Sequence, residues 1–205
     1  LYEKIADVEF MIMGIGDLAY DYNPIQASQF ESDIRIAEQL DKVYFEYGGG
    51  GNGFESYSAA WYFGTHHTKL DCWNRGKRGI IITIGDERLN PYLPIRSRCS
   101  GLIATLGDNL EKDVETPELF EEASKKFDIY HIHVNHGSNY DKENIEKSFK
   151  SIIEENHFKE ATLDNIAETI VNIIVDAAEN DANTIVTPIT TPTQVNTNEN
   201  GEIGW

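Results

Sequence analysis

Basic residues are scarce in this chain: 17 Lys and Arg stand against 35 Asp and Glu, for a formal charge of −18 over 205 residues. A field of that sign repels the phosphate backbone on which nucleic-acid affinity rests, so nucleic acid is not expected as a partner. Cysteine is scarcer still. Cys72 and Cys99 are too few for a disulfide framework and suit a reducing compartment, the cytoplasm by default or the interior of a virion for a viral source. Long apolar runs are missing: none approaches the roughly 18 residues a membrane helix needs. Leu1-Tyr2-Glu3-Lys4 does not open a signal peptide. The chain does not begin with Met, and a Leu so close to an apparent core strand leads us to expect further sequence upstream.

Apolar residues at 40% and aromatics at 11% are ordinary for a folded protein. One compact core is expected over residues 1–179, and an extended tail or docking arm over 180–205, where Asn, Thr and Pro accumulate and Lys and Arg are absent. The apolar run Val8 to Gly14, ending in Gly-Ile-Gly-Asp, reads as a buried strand that delivers Asp17 to a loop. Ile25 to Phe30 reads as a short edge strand, Ser32 to Leu40 as a helix, and Val43 to Tyr47 as a strand from its β-branched and aromatic content. After Gly48-Gly49-Gly50-Gly51-Asn52-Gly53, the segment Phe54 to Phe63 carries Tyr57, Ala60 and Trp61 at helical spacing.

Gly79-Ile80-Ile81-Ile82-Thr83-Ile84-Gly85 is the clearest strand, continuous in apolar residues as expected at the centre of a parallel sheet covered on both faces. It runs straight into Asp86-Glu87. An apolar piece at Leu102 to Leu106 has no clear assignment, whereas Thr116-Pro117-Glu118 opens a helix with Pro at its first position. Phe127 to Val134 reads as a strand, Lys142 to Asn156 as a helix, and Leu163 to Ala178 as an amphipathic helix with Ile166, Ile170, Ile173 and Ile174 as its stripe. Strands alternating with helices describe an α/β fold: a three-layer, open, mostly parallel sheet with helices on both faces. Ligands of such sheets bind outside the carboxyl ends of the strands, so Asp17, Asn52 and Asp86 are expected at one edge.

Each motif has a plain reading beside the functional one. The glycine-rich loop opening a helix could hold an anion, but Phe54-Glu55-Ser56 stands where a phosphate loop needs Gly-Lys-Ser/Thr, so it reads as a helix-capping turn or as a place where Glu55 faces a cation. Asp86 and Glu87 are either a solvated turn or oxygen ligands released at the end of a core strand. His131 and His133 share one strand face with His136 beyond it; that spacing suits zinc, but nothing nearby supplies the remaining ligands, and a buried histidine pair is the plainer reading. The pair His66-His67, at a helix end, reads the same way. Cys72 lacks an oxyanion motif and does not read as a nucleophile.

Taken together, Phe10-Met11-Ile12-Met13-Gly14-Ile15-Gly16-Asp17, the Gly48 to Ala60 loop and helix, Ile80 to Asp86 and Tyr130 to Val134 resemble the second strand, the glycine-rich loop with its helix, the fourth strand and a later strand of a von Willebrand factor A (VWA) domain, of the bacterial and kinase-associated branch. The resemblance covers about residues 7–178. It implies a divalent cation, magnesium or calcium with manganese as a third candidate, in a metal-ion-dependent adhesion site at the carboxyl edge. Asp86 matches the aspartate after the fourth strand. Glu55 falls where the family has a Thr and this branch a Glu, with Asn52 as the neighbouring ligand. Asp17, Glu87, Ser56 and His136 are further contributors to the rim. The Asp-x-Ser-x-Ser loop and the central strand before it are absent from the sequence, so an upstream segment or another polypeptide is expected to fill the slot.

The function so implied is a non-catalytic protein-binding module whose cation bridges to a partner carboxylate. A structural component of a larger assembly with a degenerate site is the alternative. A small metal-dependent hydrolase, with Glu87 or His136 as base, is a further one.

Overall fold

The computed structural model describes residues 5, 8–46, 51–135 and 141–184, with side chains described to residue 179. The loop Gly48 to Gly50, His136 and residues 185–205 of the expected tail lie outside the described residues. In chain order the elements are β1 (Met13–Ile15), β2 (Ile25–Ala27), α1 (Arg35–Leu40), β3 (Phe54–Glu55), α2 (Ser58–His67), β4 (Gly79–Gly85), β5 (Arg88–Leu89), β6 (Tyr92–Leu93), α3 (Leu102–Leu106), β7 (Val114–Glu115), α4 (Thr116–Ala123), β8 (Phe127–Val134), α5 (Lys142–Lys150), β9 (Phe158–Ala161) and α6 (Ile166–Thr184).

The body is an α/β arrangement around the parallel sheet β4-β8-β9. The alternation of β8 divides its side chains between two layers. Phe127 and Ile129 face a core shared with Trp61 of α2, Leu119 of α4 and Phe149 of α5. Tyr130 and Ile132 face Ile173 of α6, with Ile80, Ile82, Ile166 and Ile170 packed around them. The predicted isoleucine stripe of α6 is therefore the surface that covers the second face. Among the described residues no helix is long and apolar enough to cross a membrane.

Several expectations need correction. The strand in the middle of the sheet is β8, with β4 pairing only with β8 among the described residues. Both strands are rich in apolar residues, and an unbroken isoleucine run does not reveal which has neighbours on both edges. The segment from Val8 does not join the parallel sheet: β1 pairs antiparallel with β2, and Phe10 bridges Glu31. Its turn is closed locally, the Asp17 carbonyl accepting from the Tyr20 and Asp21 amides at 3.0 and 2.8 Å. Within Val43 to Tyr47 the described residues form no strand; the Tyr44 backbone is held instead by the Gln26 side-chain amide, which bonds both its N–H and its carbonyl.

Helix α2 begins at Ser58 because Phe54 and Glu55 are taken by a parallel pairing with Arg88 and Leu89. The Asn90 side chain caps its start from a distant segment, accepting the Ser58 amide hydrogen at 3.2 Å and donating to Ser58 Oγ at 2.7 Å. Helix α5 stops at Lys150, short of Asn156. Helix α6 continues to Thr184, past the expected body boundary at residue 179, with no Gly or Pro to stop it before Pro188.

Candidate functional site

The turn after β4 and the segment before α2 meet at the carboxyl end of the sheet. The β3–β5 pairing sets Glu55 beside Leu89, and the Asn90 amide donates to the Glu55 carbonyl at 3.3 Å. Asp17 arrives from the turn after β1. Its Oδ2 accepts from Asn52 Nδ2 at 2.8 Å and its Oδ1 from the Ala19 amide at 2.8 Å and the Ser56 hydroxyl at 3.4 Å. Asp17 and the segment that carries Asn52, Glu55 and Ser56 are thus brought together from two separate parts of the sequence.

They do not play equal parts. Asn52 is used at both ends of its amide, since Oδ1 accepts from the Phe54 amide at 2.9 Å while Nδ2 holds Asp17. Ser56 is buried, and its Oγ accepts the Leu18 amide hydrogen at 3.0 Å. Both residues shape the loop around Asp17. Glu55 and Glu87 instead line a cavity of about 320 Å³ with Asp17, Asp21 and Glu46, its walls completed by Tyr44 and Phe45. Asp86 does not line it; it lies exposed on the adjoining turn.

Among the described residues, five carboxylates and no Lys, Arg or His line this space. Arg88, the nearby cation on β5, pairs with Asp141 and lies over the Phe54 ring at 5.2 Å. Burial pushes the Glu55 carboxyl up to about 7, against the Ser56 amide that hydrogen-bonds it, and the charges of Asp17, Asp21 and Glu87 push the same way. Glu87 is raised too, by burial and then by Asp86, with Arg88 opposing. Asp21 is raised, chiefly by burial. Among the described residues no three His, Cys, Asp or Glu side chains are grouped closely enough to hold one ion together.

Asp21 and Glu46 were not singled out in the sequence. Asp-Tyr-Asn-Pro at 21–24 carries a turn signal that could have pointed to Asp21, whose Oδ2 accepts the Asp17 amide hydrogen at 2.7 Å. Glu46 was hidden in an apparent strand; its carboxylate receives the Tyr22 and Asn23 amides at 3.0 Å each. The histidines occupy a different place. His131 and His133 are buried under α5, with Phe149 stacked on the His131 ring at 3.6 Å. His67 pairs with Asp108 at 2.7 Å and His66 with Glu122 at 3.4 Å on the α2 surface.

Compared with family models, with curated proteins and with solved structures, the chain matches none.

Proposed function

We propose that this protein is a cation-dependent protein-binding module, with the ion held at the carboxyl edge of the sheet by Glu55 and Glu87. One observation carries the reading: five carboxylates, from segments as far apart as Asp17 and Glu87, line a single cavity with no basic residue among the described residues of its wall. Assembling like charges in a partly buried space is unfavourable unless a counter-charge joins them. The donors are hard oxygens. Magnesium keeps several of its waters and needs only one or two carboxylates, which suits a ring too wide to chelate an ion by itself, and manganese shares that preference for hard oxygen ligands. Calcium, wanting six to eight oxygens, suits it less. The ion supplies the local positive charge through which a partner's carboxylate docks on an acidic surface.

Isothermal titration of the protein with magnesium, manganese and calcium tests this directly. Saturable binding of magnesium or manganese, lost in Glu55→Gln and weakened in Glu87→Gln, is the expected result; no heat from any of the three ions rejects the reading.

A second reading, a component of a larger assembly, draws on a separate observation. Strand β4 pairs on one side only among the described residues, and its seven residues hold neither charge nor proline to blunt the other edge. Co-purified polypeptide protecting the β4 amides from exchange would favour it.

A further inference from the structure

Strands β1 and β4 each have one unpaired edge among the described residues. In β4 the Gly79 amide donates to the Lys126 carbonyl at 2.9 Å, so Gly79, Ile81 and Thr83 turn their N–H and C=O groups to β8, while Ile80, Ile82 and Ile84 turn theirs away. In β1 the Ile12 carbonyl accepts from the Ser28 amide at 2.9 Å and the Gly16 amide donates to the Pro24 carbonyl at 2.8 Å, which leaves the backbone groups of Met13 and Ile15 turned away from β2. Both strands run the same way, since Val8 shares a groove of about 150 Å³ with Ile80, and Asp17 shares the carboxylate cavity with Glu87. Met13, Ile15 and Ile81 all pack on the core that contains α2. Parallel strands with odd-numbered side chains on one face turn their odd amides to the same side, so the free edge of β1 faces that of β4. Helix α2 packs on both strands. A helix about 10 Å across that reaches both leaves room for about one more strand at the ~4.8 Å spacing of a sheet.

We propose that this slot takes one extended strand of a partner polypeptide, running with β1 and β4 and hydrogen-bonded to both, apolar through the slot, with an acidic residue at its entry and a Lys or Arg at its exit. The inference rests on the assembly reading above and does not require the ion. Two facing rows of backbone donors and acceptors identify an extended backbone as the occupant. Its side chains are apolar because one face meets Met13, Ile15 and Ile81 and the other lies beside Ile80, Ile82 and Ile84, the last of them 43% exposed. Its flanking charges follow from complementarity. Lys77 and Arg78, the latter also paired with Asp128, stand at the amino end of the slot, and the five carboxylates stand at the carboxyl end. A second copy of this chain does not fit, because its β4 carries β8 along the other edge and the space is one strand wide. With the partner in place the sheet runs β2-β1-partner-β4-β8-β9, and the uncharged edge of β4 is covered.

The test uses the full chain and a capped synthetic peptide, Glu-Val-Ile-Val-Ile-Val-Lys, with binding and amide exchange read by NMR. The peptide is expected to bind saturably and to slow exchange about tenfold at every second amide, those of Ile80, Ile82 and Ile84 in β4 and of Met13 and Ile15 in β1, while Ile81 and Thr83, already bonded to β8, keep their rates. Exchanging the terminal Glu and Lys of the peptide should weaken binding about tenfold, and Pro at its centre should abolish it. Ile84→Lys, at a half-exposed position, is expected to stay folded and to lose the peptide. No binding by the first peptide overturns the proposal, as does equal binding of the charge-exchanged one. A co-purified polypeptide that protects the β4 amides and leaves Met13 and Ile15 unchanged overturns it too, and keeps the assembly reading. Slow exchange of Ile80, Ile82 and Ile84 in the isolated chain removes both, because the edge is then covered by the chain itself.

Discussion

The two polar regions beside β4 treat charge in opposite ways. Under α5, His131 is enclosed as a neutral ring. The Thr83 hydroxyl gives its proton to the Tyr130 carbonyl at 3.2 Å and therefore receives one from His131 Nδ1 at 2.9 Å. Phe149 stacks on the ring, and burial, with His133 adding to it, drives its pKa down to about 3. At the carboxyl edge, Glu55 sits among Asp17, Asp21 and Glu87 with its pKa pushed up to about 7. The first region has removed its charge by excluding water; the second gathers charge of one sign and leaves it facing a cavity. Polar groups of the first kind specify a core, and those of the second kind are suited to a ligand.

The comparison breaks most easily at Phe149. Replacing this fully buried ring by Ala is expected to cost about 3–5 kcal/mol in urea unfolding, because it removes the cover of His131 together with a contact of Tyr57. Manganese affinity should change far less than in Glu55→Gln at temperatures where the variant stays folded. Equal losses of affinity in both would mean that the two regions are one unit.

The pH dependence sharpens it next. His131 has a folded pKa below its ordinary value, so its contribution is present above about 6.5 and is lost as pH falls toward 3. Glu55 has a folded pKa above its ordinary value, so its contribution is full below about 4.5 and is lost as pH rises through 7. Between those limits the two oppose each other. Thermal midpoints measured from pH 8 to 5 should show His131→Phe losing the acid-side fall and Glu55→Gln losing the alkaline-side fall.

A smaller effect of reversed sign is expected from Glu55→Gln in metal-free buffer at pH 8, a gain on the order of 1 kcal/mol as one of the clustered charges is removed. Saturating magnesium should stabilise the wild type and leave the variant unmoved. The smallest effect is expected at the cavity wall, where Tyr44→Ser alters a ring that is 63% exposed. Its stability should stay within about 0.5 kcal/mol of wild type, and a larger change would show that the wall is part of the fold.

Much of the architecture was legible because it follows local periodicity. Strand β8 has the predicted limits, α4 begins at the Thr-Pro-Glu signal, and the isoleucines of α6 cover the sheet as their spacing implied. The errors fall where a distant partner decides. Phe54 and Glu55 lie in a pattern that suits a helix but are drawn into a strand by Arg88 and Leu89, and the helix cap comes from Asn90. Of the residues named from strand ends and loops, Asn52 and Ser56 hydrogen-bond Asp17 and Glu55 lines the cavity with it, while Asp21 and Glu46 were overlooked because each is oriented by backbone amides of the neighbouring loop.

By itself, then, the sequence determined the long elements β4, β8, α4 and α6, and that its carboxylates would outnumber any counter-charge available within the chain. These are properties of composition and short-range spacing. Only the tertiary structure decided that β8 lies between two neighbours, that Glu87 and Glu46 face one cavity with Glu55, and that Tyr57 packs on the buried His131 and accepts the Glu87 amide hydrogen. Each of those depends on pairing across tens of residues, where burial and hydrogen-bond geometry select among partners that the local pattern leaves equivalent.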